Sequence, residues 1–415
     1  MNSAASRSQR RLRQVLCLAC VKRAAKALAW WGGRVAVVLG IVAGASSPGV
    51  ALFPNLATAV ASPLPTQTGP RQVSPGDVMA LQMFGPERGV AVTGGQSRKR
   101  EYLAETTDGG ANWVVTGRVP SDVSPPTPIG LQMAFVSLHR GYVRGVGPTG
   151  SAAIEFTSDA GGSWHRLEAP GTTSGLSVMG GLLWTVAQTC HRKADRSSCE
   201  PELATFSLGS TRPSSEQRLP SLGVPSSLGL GDVGGNTMLL DRLSRPAGIF
   251  AEGTPGGPTT LIETLDSGHH WERLRNPCRG LALTSLVSVT EWSWYLYCTK
   301  DEGVNQGRVA LYRSMDDGRE WQAVARASEQ NRGTIGDGIG YDLTASGNGR
   351  ILWLVDVVGG LEMSADGGRK WSRRAVSTGG TGAVLATTGR TEAWLPAPFL
   401  GLYRTRNGKV WTRLR

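Results

Sequence analysis

The residues of this 415-residue chain best able to do chemistry are acidic, and five of them recur in one setting. The pattern reads Thr106-x-Asp108-x-Gly110-x-x-Trp113, then Thr157-x-Asp159-x-Gly161-x-x-Trp164 and Thr264-x-Asp266-x-Gly268-x-x-Trp271. Two further copies are Ser314-x-Asp316-x-Gly318-x-x-Trp321 and Ser364-x-Asp366-x-Gly368-x-x-Trp371. A last copy, Thr405-x-Asn407-Gly408-x-x-Trp411, has lost its acid and one residue. Outside the repeats, Asp77, Asp232 and Asp342 fall on or near apolar segments. Glycoside hydrolysis needs two carboxylates, about 5–5.5 Å apart for retention and about 6.5–9.5 Å for inversion, and these three are the candidates. An Asp at a strand end also caps a turn, and that is the preferred reading of each. The chain has five histidines (His139, His165, His191, His269, His270), with His269-His270 inside a repeat and read as solvent-exposed. No Gly-x-Ser-x-Gly elbow, phosphate loop or two-His metal helix occurs, so no cofactor and no metal are expected.

The elements that carry the repeat explain its residues without catalysis. Asp accepts hydrogen bonds from backbone amides one or two positions on. Gly takes the positive φ of a tight hairpin, and the Ser/Thr hydroxyl ties the incoming strand to the same turn. Trp fills the gap against a neighbouring sheet while its indole N–H finds an acceptor. The first residues of the copies lie 51, 107, 50, 50 and 41 apart. The double-length gap predicts a unit without the motif over about 171–225, with a degenerate turn near Phe206–Ser215. Within the second period the expected strands are Leu131–Ser137, Gly141–Val146, Ala152–Phe156 and Trp164–Leu167. Four strands repeated every ~40–50 residues describe a β-propeller. Seven blades fit residues 76–415, and six fit if the motif-free stretch is an insertion. The innermost strands are expected at Asp77–Phe84, Ile129–Val136, Gly175–Gly180, Leu228–Asp232, Gly280–Ser288, Tyr341–Ser346 and Gly382–Thr388, none of which contains Arg or His. The cluster Trp292-Ser293-Trp294-Tyr295-Leu296-Tyr297 reads as a strand buried on both faces.

The repeat resembles the Asp-box, or bacterial neuraminidase repeat. Such boxes occur in sialidases, sortilin-type receptors, xyloglucanase-type glycoside hydrolases and photosystem II assembly/stability factor-like propellers. The period near 50 and the run Thr107-Asp108-Gly109-Gly110-Ala111-Asn112-Trp113 are most similar to the last group. The resemblance implies a propeller fold over nearly all of the body. It implies little about activity, since enzymes and non-enzymes share the box. A sialidase would also carry an early Arg-Ile-Pro signature; the only Arg-Pro pairs here, Arg212-Pro213 and Arg245-Pro246, lie mid-chain without the Ile.

The formal net charge is +12. Residues 1–61 hold eight basic residues and no acid, leaving 36 basic against 32 acidic in the rest. A body near neutrality presents no broad cationic face, which argues against a nucleic-acid partner. The basic stretch followed by Val35–Ala45 has the form of an export signal, cleaved or retained as an anchor; membrane contact is expected through this segment only. Residues 62–75 read as a flexible linker. Of six cysteines, Cys17 and Cys20 fall in the leader, leaving Cys190 with Cys199 across a hairpin loop and Cys278 facing Cys298 across a strand pair. The expectation is an exported monomer at the cell envelope, non-catalytic, that binds an envelope or surface protein or a glycan. A carbohydrate-active enzyme is the alternative. The longer connections Gly94–Arg100, Cys190–Cys199, Arg242–Thr259 and Asp301–Gly307 are the candidate partner surface. Two of them are locally basic through Arg98, Lys99, Arg100, Arg192, Lys193 and Arg196.

Overall fold

A computed structural model describes residues 71–415 except 95–100, 124–130, 147–151, 194–195, 221–236, 243–247, 254–258, 291, 304–305, 328–334, 337–339, 357–358, 379–384 and 399. Among the described residues the strands form seven antiparallel sheets, six of four strands and one of five. Sheet 1 comprises Val78–Met83, Gly89–Gly94, Glu101–Thr106 and Trp113–Arg118, with Gln72–Val73 added beyond the last. Sheet 2 comprises Gln132–Phe135, Gly141–Val146, Ala152–Thr157 and His165–Arg166; sheet 3 Thr172–Met179, Leu182–Lys193, Arg196–Ser207 and Ser215–Arg218. Sheet 4 comprises Thr237–Arg242, Gly248–Gly253, Thr259–Thr264 and Glu272–Leu274; sheet 5 Ala282–Ser288, Trp294–Gly303, Gln306–Ser314 and Gln322–Ala327. Sheet 6 comprises Gly340–Ala345, Leu352–Asp356, Gly360–Ser364 and Trp371–Ser377; sheet 7 Ala386–Thr388, Glu392–Ala397, Gly401–Thr405 and Thr412–Leu414. The first strand of each sheet touches the first strand of the next, and that of sheet 7 returns to sheet 1. The strands thus close a β-propeller around their innermost members.

Sequence order fixes which turns share a face. In a four-stranded meander the first and third turns lie at one end of the sheet. The second turn and the connection to the next sheet lie at the other. All the Asp-bearing turns are third turns, so they gather on one face of the ring.

The core lies between sheets, in apolar clusters built from facing strands. Second strands carry its largest members: Tyr142, Trp184, Trp294, Trp353 and Trp394 are all fully buried. Several reach across to the next sheet's outer turn. Tyr142 Oη accepts from the Gly209 amide at 3.3 Å, and Tyr295 Oη donates to the Gly367 carbonyl at 3.4 Å. Trp394 Nε1 donates to the Gly109 carbonyl of sheet 1 at 2.8 Å, closing the ring. Arg404 reinforces that closure, bonding the Pro86 carbonyl at 2.7 Å while paired with Glu392 at 2.6 Å.

Several expectations change. Part of the segment expected as linker is a strand, because Gln72–Val73 finds an open edge on Trp113–Arg118, Val73 opposite Trp113. The first strand of sheet 4 is Thr237–Arg242, and the expected Leu228–Asp232 lies outside the described residues. That strand ends on Arg242, so the innermost strands do include an arginine. The connection Arg242–Thr259 contains a strand, Gly248–Gly253. Trp292 is 56% exposed and lies in the turn before Trp294–Gly303, where the Val289 and Thr290 amides bond the Ser293 carbonyl. Ser293 to Tyr297 are buried, and the strand begins at Trp294. The motif-free unit is sheet 3, whose third turn spans 208–214. Residues 1–70, which include the expected leader with Cys17 and Cys20, lie outside the described residues.

Candidate functional site

The five aspartates sit in five nearly identical turns. Thr106 Oγ1 donates to Asp108 Oδ1 at 2.9 Å and accepts the Gly110 amide at 2.9 Å. Asp108 Oδ1 then accepts the Asn112 amide at 2.9 Å. The same bonds recur through Thr157, Asp159, Gly161 and the Ser163 amide, and through Thr264, Asp266, Gly268 and the His270 amide. They recur again through Ser314, Asp316 and Gly318, and through Ser364, Asp366 and Gly368. The carboxylate therefore reaches four residues on rather than one or two, because the loop it spans is a full turn longer than an Asx-turn. Both central residues have positive φ, Ala160 at 58° and Gly161 at 85° for instance, as a type I′ turn requires. In the last copy Asn407 Oδ1 accepts the Lys409 and Val410 amides, both at 2.9 Å.

These bonds stabilise the ionised acid. The Ser163 hydroxyl and amide, then Thr157, bring Asp159 down to about 2. The His270 amide and ring, then Thr264, do the same for Asp266. In every copy Oδ1 is taken up by the turn, and in Asp108, Asp159 and Asp266 Oδ2 is as well. His269 and His270 are exposed on this turn, His270 Nδ1 against Asp266 Oδ2.

The tryptophans of the motif differ in what they find. Trp164 Nε1 reaches the Arg118 carbonyl of the preceding sheet at 2.8 Å. Trp113 and Trp371 bond their own turns, at the Gly110 and Gly368 carbonyls. Trp113 is fully buried, whereas Trp164, Trp271, Trp321, Trp371 and Trp411 are half-buried.

Two of the three candidate acids fall within the described residues. Asp77 lies in a single 3-10 turn, its amide bonded to the Ser74 carbonyl at 3.0 Å, and Asp232 lies outside the described residues. Asp342 occupies an inner strand beside a register shift, not a strand end, and accepts from Thr344 Oγ1 at 3.0 Å. Burial raises its pKa to about 6. Sequence gave no sign of another perturbed acid, Glu155: burial, then its hydrogen bond and repulsion with Asp122, push it to about 8. Among the described residues no three His, Cys, Asp or Glu side chains cluster to hold a metal ion.

The opposite face carries the second turns and the connections between sheets. Two hairpins are lengthened there. The middle strands of sheet 3 run 12 residues each, and those of sheet 5 run 10 and 9, against 5 or 6 in the other sheets. Backbone register sets Cys190 opposite Cys199 near the tip of the first, with Arg192 and Lys193 opposite Ser197 and Arg196. Arg98, Lys99 and Arg100 lie outside the described residues. Cys278 and Cys298 form a disulfide, but Cys278 precedes the strand and Leu283 is the residue paired with Cys298. The bond therefore ties the connection from sheet 4 to sheet 5 onto the second strand. Beside it is a cavity of about 680 Å³ lined by Arg275, Arg279, Arg308 and Arg326 with Tyr312 and Trp321. Arg275 and Arg279 lie four residues apart in the sequence, and only the fold brings Arg308 and Arg326 to them.

A scan against protein-family models finds no match, and a search of curated proteins finds none. Solved structures do match. YCF48 bound to a D1 peptide is 16% identical, covering 67% of this chain and 90% of that chain, TM-score 0.32. YCF48 from Cyanidioschyzon merolae is 15% identical over 76% and 90%, TM-score 0.46. An ancestral GH74 enzyme is 11% identical over 81% of this chain, TM-score 0.54, and this chain covers 46% of that one. The closed ring of four-stranded sheets, with the likeness to the GH74 enzyme's fold, defines the class: the protein is a β-propeller, of a fold that serves enzymes and non-enzymes alike.

Proposed function

We propose that this chain is an exported, non-catalytic propeller that acts as a binding or assembly scaffold at the cell envelope. The observation that carries the reading is the unequal length of the second hairpins. Sheet 3 sends out paired strands of 12 residues, longer than the 10 and 9 of sheet 5 and twice those of the other sheets. Beyond Gln188 the two strands pair only with each other, so the extra length forms an arm on the face where connections gather. The Asp-bearing turns, with their acids committed to local bonds, support a structural role for the opposite face. The Cys278–Cys298 disulfide supports an oxidising compartment.

The test is capture of envelope proteins by the full chain and by a variant in which residues 190–199 are replaced with a two-residue turn. A specific protein retained by the former and lost by the latter is expected. Equal recovery would refute the hairpin's role. A second reading, a carbohydrate-active enzyme, is favoured by one observation: the raised pKa of Asp342 on an innermost strand, apt for a general acid. Turnover of aryl glycosides that disappears in Asp342→Asn would establish it in place of the first.

A further inference from the structure

We infer that the cavity between the sheet 4–sheet 5 connection and the outer strands of sheet 5 is a binding site for an acidic peptide segment bearing an apolar side chain. The site deepens the scaffold reading by giving the partner's chemistry. It stands apart from the sheet 3 hairpin, so either can fail alone.

The cavity has two layers. Its floor is apolar and buried, formed by Leu281, Val309, Ala310 and Ala327. Half-buried Tyr312 and Trp321 form its aromatic wall. Around these stand four exposed arginines, Arg275 and Arg279 from the connection, Arg308 from the third strand and Arg326 from the fourth. Among the described lining residues none is Asp or Glu. Guanidinium groups gathered around one apolar cavity attract an anion into it. Arg326 is partly oriented already, its guanidinium 5.6 Å from the Tyr312 ring centroid.

The two layers select the occupant. Arginine only donates hydrogen bonds and pairs with carboxylate in a planar fork. The apolar floor calls for an aliphatic or aromatic side chain, which neither inorganic phosphate nor an acidic glycan supplies. The volume falls in the range of sites that enclose a small ligand or a few side chains. A second copy of this body is a poor occupant, since its charge is near balance with a small positive excess.

The disulfide belongs to the site. Cys278 lies between Arg275 and Arg279, and its bond to Cys298 fixes that connection against the buried stretch Trp294 to Thr299 of the second strand. This preorganises two of the four arginines, so less ordering is left for binding to accomplish.

The experiment titrates the full chain with a synthetic eight-residue peptide of four Asp/Glu around one Leu and one Phe, reading tryptophan fluorescence and heat. Parallel titrations use the same peptide with Lys for the acids, inorganic phosphate, and a sulfated oligosaccharide. Saturable binding of the acidic peptide that weakens with salt is expected. The double variant Arg279→Glu/Arg308→Glu is expected to lose at least tenfold in affinity, and Arg390→Glu, away from the cavity, none. Cys278→Ser/Cys298→Ser is expected to weaken binding several-fold while circular dichroism shows the sheets intact. No loss in the arginine double variant would overturn the proposal, as would tighter binding of phosphate or the oligosaccharide than of the acidic peptide.

Discussion

Sheets 1 and 5 carry the same turn and use its tryptophan oppositely. In sheet 1 the strand Gln72–Val73 lies along the outer edge and Trp113 is sealed. In sheet 5 the outer edge has no added strand among the described residues, and Trp321 stands half-buried in the wall of the arginine-lined cavity. The turns themselves share the hydroxyl–carboxylate bond and the two amide bonds, from Thr106–Asp108–Gly110 to Ser314–Asp316–Gly318. The repeat thus builds the frame, and what is laid beside each copy decides whether that edge is closed or available to a ligand.

The largest effect expected from this contrast is at the tryptophans. Trp113→Ala should cost about 3–5 kcal/mol, the usual range for emptying a fully buried aromatic site. Trp321→Ala should cost clearly less, because part of its ring already faces solvent. Urea unfolding of both variants measures the difference, and equal costs would break the comparison. Next come the acids: Asp108→Ala and Asp316→Ala each remove a carboxylate that joins a hydroxyl to an amide. Each should lose about 1–3 kcal/mol, at about 0.5–1.5 kcal/mol for each of the two bonds they share. The difference between them should be small beside that between the tryptophans, Asp108→Ala losing the more because Asp108 Oδ2 also accepts the Asn112 side-chain amide at 2.7 Å. Peptide binding at the cavity should be unchanged in Asp108→Ala, as calorimetry can check.

A further contrast lies in pH dependence, and it separates the turns from an acid pair elsewhere. Asp159 and Asp266 titrate near 2, below their ordinary value, so their contribution holds above pH about 4 and fades as pH falls through about 2. Glu155, raised to about 8, has the opposite sign. Its folded form holds a proton the unfolded chain has released, so its contribution is full below pH 4.5 and is lost as pH rises through about 8. Glu155→Gln should flatten the decline of stability between those values. An unchanged slope in thermal unfolding from pH 5 to 8 would remove Glu155 from the account.

Much of the frame was legible because it repeats. A turn with two positive-φ residues accepts few sequences, so Asp, Gly and Ser/Thr return at fixed spacing wherever that turn is built. The aromatic anchors Tyr142, Tyr295 and Trp394 were less legible, since each bonds a turn in the next sheet and no local pattern marks the partner. Trp292 misled for a related reason: an apolar residue beside a buried strand has the same neighbours in sequence whether it enters the sheet or ends the turn before it.

The sequence alone determined the repeated four-stranded unit, its turn chemistry and the pairing of Cys278 with Cys298, all matters of local geometry and near neighbours. Tertiary structure decided the rest. It laid Gln72–Val73 on sheet 1, placed Asp342 within an innermost strand rather than at its end, and gathered Arg275, Arg279, Arg308 and Arg326 at one cavity. Those outcomes depend on how sheets stack around the ring, where residues dozens of positions apart become neighbours through packing and charge.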